Sequence, residues 1–207
     1  MTTKDTQKLI LDTAIELFNR YGTARISANR IADTCKLSRG HLHYHFKKKE
    51  EIVHAIYDRI ATEVKRNWGD DLKKPTIHHM LEMFDRHLEL IWRHRFFYRE
   101  MMALLAADAR LQQRFGKDRR DRTLVIINFF RALIDNDVLM GPKDAKILKN
   151  LVRVSWIVSD NWINYVSVDS TAVYPDCVKE GYELIIDLFR PYLSPKTLLV
   201  LNAVREI

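Results

Sequence analysis

From Lys4 to Tyr21, small and apolar residues come in pairs three to four positions apart, Leu9/Ile10, Thr13/Ala14 and Leu17/Phe18, with Tyr21 completing the row. A helix collects residues at this spacing on one face, whereas a half-buried strand needs alternation with period two. The same rhythm recurs almost to the end of the chain, and little interrupts it: 207 residues hold six glycines and five prolines. A fold of many short strands needs more turn residues than that, so the chain is predicted to be all-α. Apolar residues make up 47% and charged residues 29%, a balance that fits a soluble protein with a sizeable core.

Gly22 stands where a C-terminal glycine closes the first helix. Ser27 offers an N-cap to a short segment, "ANRIADTC", with Ile31 and Ala32 apolar; "KL" follows as a tight connection. Ser38 offers a second N-cap to "RGHLHYHF", where Leu42 and Phe46 sit at i and i+4. From Lys48 to about Trp68, Ile52, Ala55/Ile56, Ile60 and Val64 mark one long amphipathic helix. Two short helices joined by a tight turn are the helix-turn-helix arrangement, whose second helix enters the DNA major groove. "GDDLKKP" (69–75) breaks the pattern, which predicts a DNA-binding domain over 1–68 and a helical body over 69–207. The body reads as helices over about 75–93, 96–107, 108–136, 143–167 and 175–190. Gly141-Pro142 and "VDSTAVYP" (168–175) are breaks, and Ser194-Pro195 opens a last helix.

His41, His43 and His45 alternate, and on a strand their imidazoles would converge like metal ligands. On a helix His41 and His45 share a face while His43 points roughly opposite, and the flanking Arg and Lys repel a cation. The capped, compact layout favours the helix, so no metal is expected. Cys35 and Cys177 are isolated and read as ordinary thiols; no cofactor is implied. His78-His79 is adjacent rather than ligand-spaced and reads as helix surface. Ser155 and Ser159 lie on an apolar helix with no evident base, so the chain is not expected to be an enzyme. No apolar run approaches the ~18 residues of a membrane span. "MTTKDTQKLI" lacks the apolar core of a signal peptide, which predicts a cytoplasmic protein.

The net charge of +7 is uneven: residues 1–66 hold 13 Lys/Arg against 8 Asp/Glu, and the rest hold 21 against 19. A basic N-terminal third on a nearly neutral body points to a polyanion partner, most simply nucleic acid. A basic membrane-surface segment would usually add an exposed apolar face, so no membrane partner is expected.

"SANRIADTCKLSRGHLHYHFKKKEEI" (27–52) resembles the TetR family of bacterial transcriptional repressors. That family's DNA-binding domain runs roughly S/T-x-x-x-I-A, then G-V-S-x-G-x-L-Y-x-H-F-x-x-K-E-x-L. Ser27, Ile31, Ala32, Ser38, Gly40, Leu42, His45, Phe46, Lys49 and Glu50 match, and "ILDTAIELFNRYG" is similar to the family's first helix. The likeness covers about the first 55 residues; beyond them it is one of length and helical character. Two positions depart: Lys36 replaces the usual turn glycine, and His43 replaces a tyrosine that often touches phosphate, with Tyr44 next to it.

The resemblance implies an N-terminal helix-turn-helix domain joined to a C-terminal helical domain for effector binding and dimerisation. Ser38 would cap the recognition helix, with Arg39 able to reach a guanine edge and Gly40 clearing bulk where backbone nears DNA. His41 and Tyr44, one turn apart, would project into the groove, with His43 and His45 beside them. Lys49 is similar to the family's phosphate clamp, Ser27 and Asn29 resemble family positions near phosphate and base edge, and Ala28 between them is a further DNA-binding candidate. A small-molecule effector is implied as the signal. Arg95, Phe97, Tyr98, Met101, Met102, Asn128 and Phe129 are candidates to line its pocket, against the plainer reading of ordinary core. Reading double-stranded DNA with an inverted repeat calls for a homodimer, and the helices over 143–167 and 175–190 are the expected interface. Two rivals stand beside this: an all-helical small-molecule-binding or enzymatic domain with an incidental basic patch, and a sequence-blind nucleoid-type protein.

Overall fold

The computed structural model describes residues 3–68, 74–168 and 174–205. Among them run ten α-helices: α1 (Thr3–Tyr21), α2 (Ala28–Thr34), α3 (Arg39–His45), α4 (Lys49–Trp68), α5 (Ile77–Arg93), α6 (Arg95–Ala107), α7 (Ala109–Asp135), α8 (Ala145–Val166), α9 (Asp176–Phe189) and α10 (Pro195–Arg205). A 3-10 turn, Arg190–Tyr192, joins α9 to α10. β pairing among the described residues is limited to one isolated bridge, Leu139 with Leu193, so the all-α expectation holds. Most of the two expected breaks, residues 69–73 and 169–173, lies outside the described residues. No described helix is long and apolar enough to cross a membrane.

The helix ends follow from short-range chemistry. Gly22 closes α1 at φ 80, its N–H donating to the Phe18 carbonyl at 2.9 Å. Ser27 Oγ accepts from the Arg30 amide at 3.2 Å and Ser38 Oγ from the His41 amide at 3.1 Å, so both expected caps form. Between them α2 ends in a Schellman motif, with the Leu37 amide on the Ala32 carbonyl (2.9 Å) and the Lys36 amide on the Asp33 carbonyl (3.1 Å). That motif needs a left-handed residue, and Lys36 supplies it at φ 55. A side chain there costs roughly 1 kcal/mol relative to glycine, so the departure from the family pattern changes the turn's cost and not its shape. The same motif closes α7 at Asp137, also at φ 55. His79 Nδ1 accepts the Thr76 amide at 3.0 Å, a capping role at the start of α5.

Met1–Glu63 with Arg93–Gln113 form one compact unit, and Val64–Trp92 with Arg114–Ile207 form the other. The division falls inside α4 and α7 and before the last residue of α5, and α6 groups with the N-terminal helices. In the first unit Phe18 meets Phe96 with ring centroids 5.1 Å apart, and Tyr57 stacks on Phe97 at 5.5 Å. Asn19 ties α1 to α6: its side chain donates to the Arg93 carbonyl (2.8 Å) and accepts from the Phe96 amide (3.0 Å). Arg99 returns a bond to the Asn19 carbonyl at 2.6 Å. His54 Nε2 lies 2.8 Å from Asp108, whose other oxygen caps α7 through the Leu111 amide at 2.9 Å. These bonds hold the Asp108 carboxyl below its usual range. The second unit is built on a stack of Phe84, Phe189 and Phe130, with centroids 5.4 and 4.6 Å apart.

Candidate functional site

The cap at Ser38 starts α3 so that Leu42 and Phe46 turn inward and are buried, while Arg39, Gly40, His41, His43 and Tyr44 are exposed. Tyr44 is 73% exposed, with its ring edge-on to His45 at 5.2 Å. His41 and His45 stack at 5.4 Å, as residues one helical turn apart should, and His45 is half-buried. Among the described residues no group of three or more His, Cys, Asp or Glu is placed to hold a metal ion. Gly40 has open space around it: a Cβ built there meets nothing within 4 Å. Packing within the chain therefore does not require glycine at this position, although glycine weakens a helix by about 1 kcal/mol relative to alanine.

The flanking elements place the remaining expected residues. Ser27 and Asn29 are exposed at the start of α2, and Ala28 is half-buried. Lys47 and Lys48 are exposed, and the Lys47 amide donates to Glu51 at 2.7 Å, which caps α4. Lys49 is half-buried, with Nζ donating to the Thr23 carbonyl at 2.9 Å. Arg25, Arg30 and Lys36 are exposed on the same unit and add to the basic character of its solvent-facing side.

The expected pocket residues are divided between the two units. Arg95, Phe97, Tyr98, Met101 and Met102 lie on α6 in the first unit, whereas Asn128 and Phe129 lie on α7 in the second. Phe97 and Tyr98 are buried in the core, Met102 is 75% exposed, and Asn128 is exposed. What the second unit brings together is a narrow cavity with room for about one water molecule, lined by Trp68, Phe84, His87, Ile126, Ser155, Trp156 and Ser159. Phe129 meets its wall, with its ring 6.3 Å from that of Trp68.

Several polar groups lie in or near this largely apolar cavity. The Ser155 and Ser159 hydroxyls donate to the Val152 and Trp156 carbonyls of their own helix, at 2.8 and 3.2 Å. The Arg122 guanidinium lies 4.0 Å over the Trp156 ring. Trp68 Nε1, His87 Nδ1 and Arg122 Nε are buried without a hydrogen-bond partner among the described residues, a costly state for such groups. Burial, together with the charge of Arg122, pushes the His87 imidazole down to about 3. Burial pushes the Asp160 carboxyl up to about 6, against the opposing pull of Arg122 and Arg119. His87 Nε2 and Asp160 Oδ1 are 4.0 Å apart, too far for a hydrogen bond. Sequence reasoning passed over His87, Arg122 and Asp160. The available signal was a polar residue inside an apolar stripe: His87 among Phe84, Leu88 and Ile91, and Asp160 among Val152 and Ile163.

Comparison with known proteins gives a consistent picture. The family model described as bacterial regulatory proteins, tetR family, matches residues 10–56. The model described as TetR, a bacterial transcriptional repressor, matches residues 48–200. The HTH-type transcriptional regulator YuxN of Bacillus subtilis (strain 168) is 34% identical over 65 residues, 30% of this chain and 22% of that protein. The A-factor receptor protein of Streptomyces griseus is 35% identical over 60 residues, 29% of this chain and again 22% of that protein. The chain thus spans 22% of the length of either curated relative. A TetR-family transcriptional regulator from Marinobacter aquaeolei VT8 superposes with a TM-score of 0.88 at 27% identity, covering 100% of this chain and 98% of that one. A TetR transcription regulator from Haloarcula marismortui superposes at 0.72 with 16% identity over 92% of this chain and 100% of that one, a likeness of fold alone.

Proposed function

The chain belongs to the TetR family of bacterial transcriptional repressors, and we propose that it acts as a homodimeric, effector-responsive repressor that reads an inverted repeat in double-stranded DNA. The observation that carries this reading is the outer face of α3. There Arg39, Gly40, His41 and Tyr44 are exposed on a capped helix whose other edge is packed. In this reading Arg39 makes two hydrogen bonds to a guanine edge, Gly40 lets the backbone approach, and His41 and Tyr44 contact neighbouring bases. Ser27, Ala28, His43, His45 and Lys49 sit beside phosphates and set register rather than sequence preference, while Asn29 lies near both phosphate and a base edge. The DNA-reading part corresponds to residues 1–68, and the cytoplasm, where DNA lies, is the place of action.

Effector recognition belongs, in this reading, to the second unit. Unpartnered donors on Trp68 and Arg122 beside three aromatic walls favour a small flat ligand with acceptor oxygens, which would have to widen the present cavity. Serine hydroxyls bound to their own helix argue against nucleophilic chemistry there. Ligand binding then shifts the population between DNA-competent and incompetent states. Dimerisation uses α8 and α9, where Ile147, Val154, Ile157, Tyr165 and Leu184 are exposed.

The test is selection from a random duplex pool with the full-length protein. An inverted repeat with half-sites one or more helical turns apart is expected. Arg39→Ala should then cost roughly 1–3 kcal/mol on the selected site and relax preference at one position per half-site. Enrichment of no sequence, or wild-type discrimination by the variant, would sink the placement of α3.

A further inference from the structure

We propose that Glu100, on α6, is a positioning residue for DNA binding: it fixes the turn after α1 and, through that turn, the ammonium of Lys49. The proposal rests on the reading of Lys49 as a phosphate contact.

Lys49 opens α4, where the helix dipole is positive and a lysine side chain gains nothing from the helix itself. A long, flexible stem at such a site would roam. Instead Nζ donates to the Thr23 carbonyl at 2.9 Å, which leaves two N–H groups for an outside acceptor. That carbonyl steers Lys49 only if the turn carrying it is rigid, and Glu100 supplies the rigidity. The Thr23 amide donates to both carboxylate oxygens, at 3.1 and 3.2 Å, and the Thr23 hydroxyl donates to Oε2.

Gly22 makes the approach possible. Its φ of 80 suits glycine, and a Cβ there would stand 3.0 Å from Glu100 Oε1. The carboxylate also lies at the C-terminal end of α1, where the helix dipole repels negative charge. Its place is therefore owed to the Thr23 donors rather than to α1. The neighbouring bonds of Asn19 with Arg93, Phe96 and Arg99 hold α6 against the end of α1, so Glu100 does not swing alone. α6 accordingly belongs with the DNA-reading helices, in agreement with its grouping in the first unit.

Glu100→Gln keeps the side chain's size and removes its charge and one acceptor. Full-length variants would be titrated with a fluorescein-labelled duplex of random sequence across a range of KCl. In a separate DNA-free assay, the rate of Lys49 acetylation by N-hydroxysuccinimidyl acetate would be followed by peptide mass spectrometry. Lys49→Ala should lower the slope of log affinity against log salt by about 1. Glu100→Gln should lower it by up to the same amount, add nothing in the Lys49→Ala background, and raise the Lys49 labelling rate. Thr23→Val should behave like Glu100→Gln, and Thr23→Ser, which keeps the hydroxyl, should restore the wild-type values. Unchanged salt slope and unchanged Lys49 labelling in a folded Glu100→Gln protein would overturn the proposal, as would full additivity with Lys49→Ala. Should Lys49→Ala itself leave the slope intact, the phosphate reading of Lys49 fails, and the labelling rate still decides whether Glu100 positions it.

Discussion

His87 and Asp160 are both buried in the second unit, and burial moves their protonation in opposite directions, so each leaves its own signature in the response of stability to acid. The imidazole falls from 6.5 to about 3 on folding. Below 6.5 the unfolded chain binds the extra proton, so this group's stability is full above 6.5 and is lost as pH falls towards 3. The carboxyl rises from 3.8 to about 6, so here the folded chain binds the extra proton. Its contribution is full below 3.8 and is lost as pH rises through 6. Between about pH 4 and pH 6 the two slopes oppose each other. Asp160→Asn should therefore make stability climb more steeply with pH than in wild type, by on the order of 1 kcal/mol per pH unit. His87→Gln should shift the slope the other way by a similar amount. Urea unfolding at several values across this window measures both, and parallel curves for all three proteins would show that neither group stays buried in one protonation state. Neither role was legible in the sequence, because a histidine or aspartate within an apolar stripe reads as a flaw in the pattern until its neighbours from other helices are known. Lys36 is the opposite case. Its strain is set by the backbone of four adjacent residues, and the missing glycine announced it.

Helices and their ends follow the same division between local and distant causes. Ser27, Ser38 and Gly22 act on groups within a few residues, so the helix-turn-helix layout and its caps were readable from one stretch of sequence. The grouping of α6 with the N-terminal helices was not. It depends on Asn19, Thr23 and Glu100 meeting across more than 70 residues, and no spacing rule links them. Aromatic and methionine content, the mark of the expected ligand residues Phe97, Tyr98, Met101, Met102 and Phe129, cannot tell one unit's core from the other's. Gly181 on α9 is another element-scale feature without a local signal. A Cβ on it would stand 2.8 Å from Trp162 Cδ2 and 3.0 Å from Cε2, so α8 and α9 touch backbone to indole. Alanine in place of this glycine gains about 1 kcal/mol of helix propensity, but overpacking a buried contact costs roughly 1–3 kcal/mol. Gly181→Ala should lower the unfolding midpoint, and Trp162→Phe in the same protein should restore part of the loss. A midpoint equal to or above wild type would mean that the indole moves aside freely.

At the scale of the whole molecule, the proposed homodimer turns on one stripe of α8. Ile147, Val154, Ile157, Tyr165 and, just past its end, Val168 are exposed. At 100° per residue they fall within an arc of about 80°, beside the arc that carries the buried Leu148, Leu151, Ser155, Trp162 and Val166. A row of large apolar side chains on one sector, rather than scattered singly, marks a surface meant to be covered. The symmetry of an inverted repeat asks for a second copy as the cover, since a two-fold axis pairs the same patch with itself. Ile157→Lys places a charge about midway along the length of that stripe. Because Ile157 is exposed within one subunit, the substitution should leave the chain folded while costing about 2 kcal/mol or more of association, roughly a thirtyfold weaker dimer. Sedimentation across micromolar concentrations reads the dimer directly. Binding to a selected inverted repeat reads the consequence, with affinity falling towards that of a single half-site. A wild-type protein that sediments as a monomer, or an Ile157→Lys protein that dimerises and binds as wild type does, would move the two-fold axis to another face.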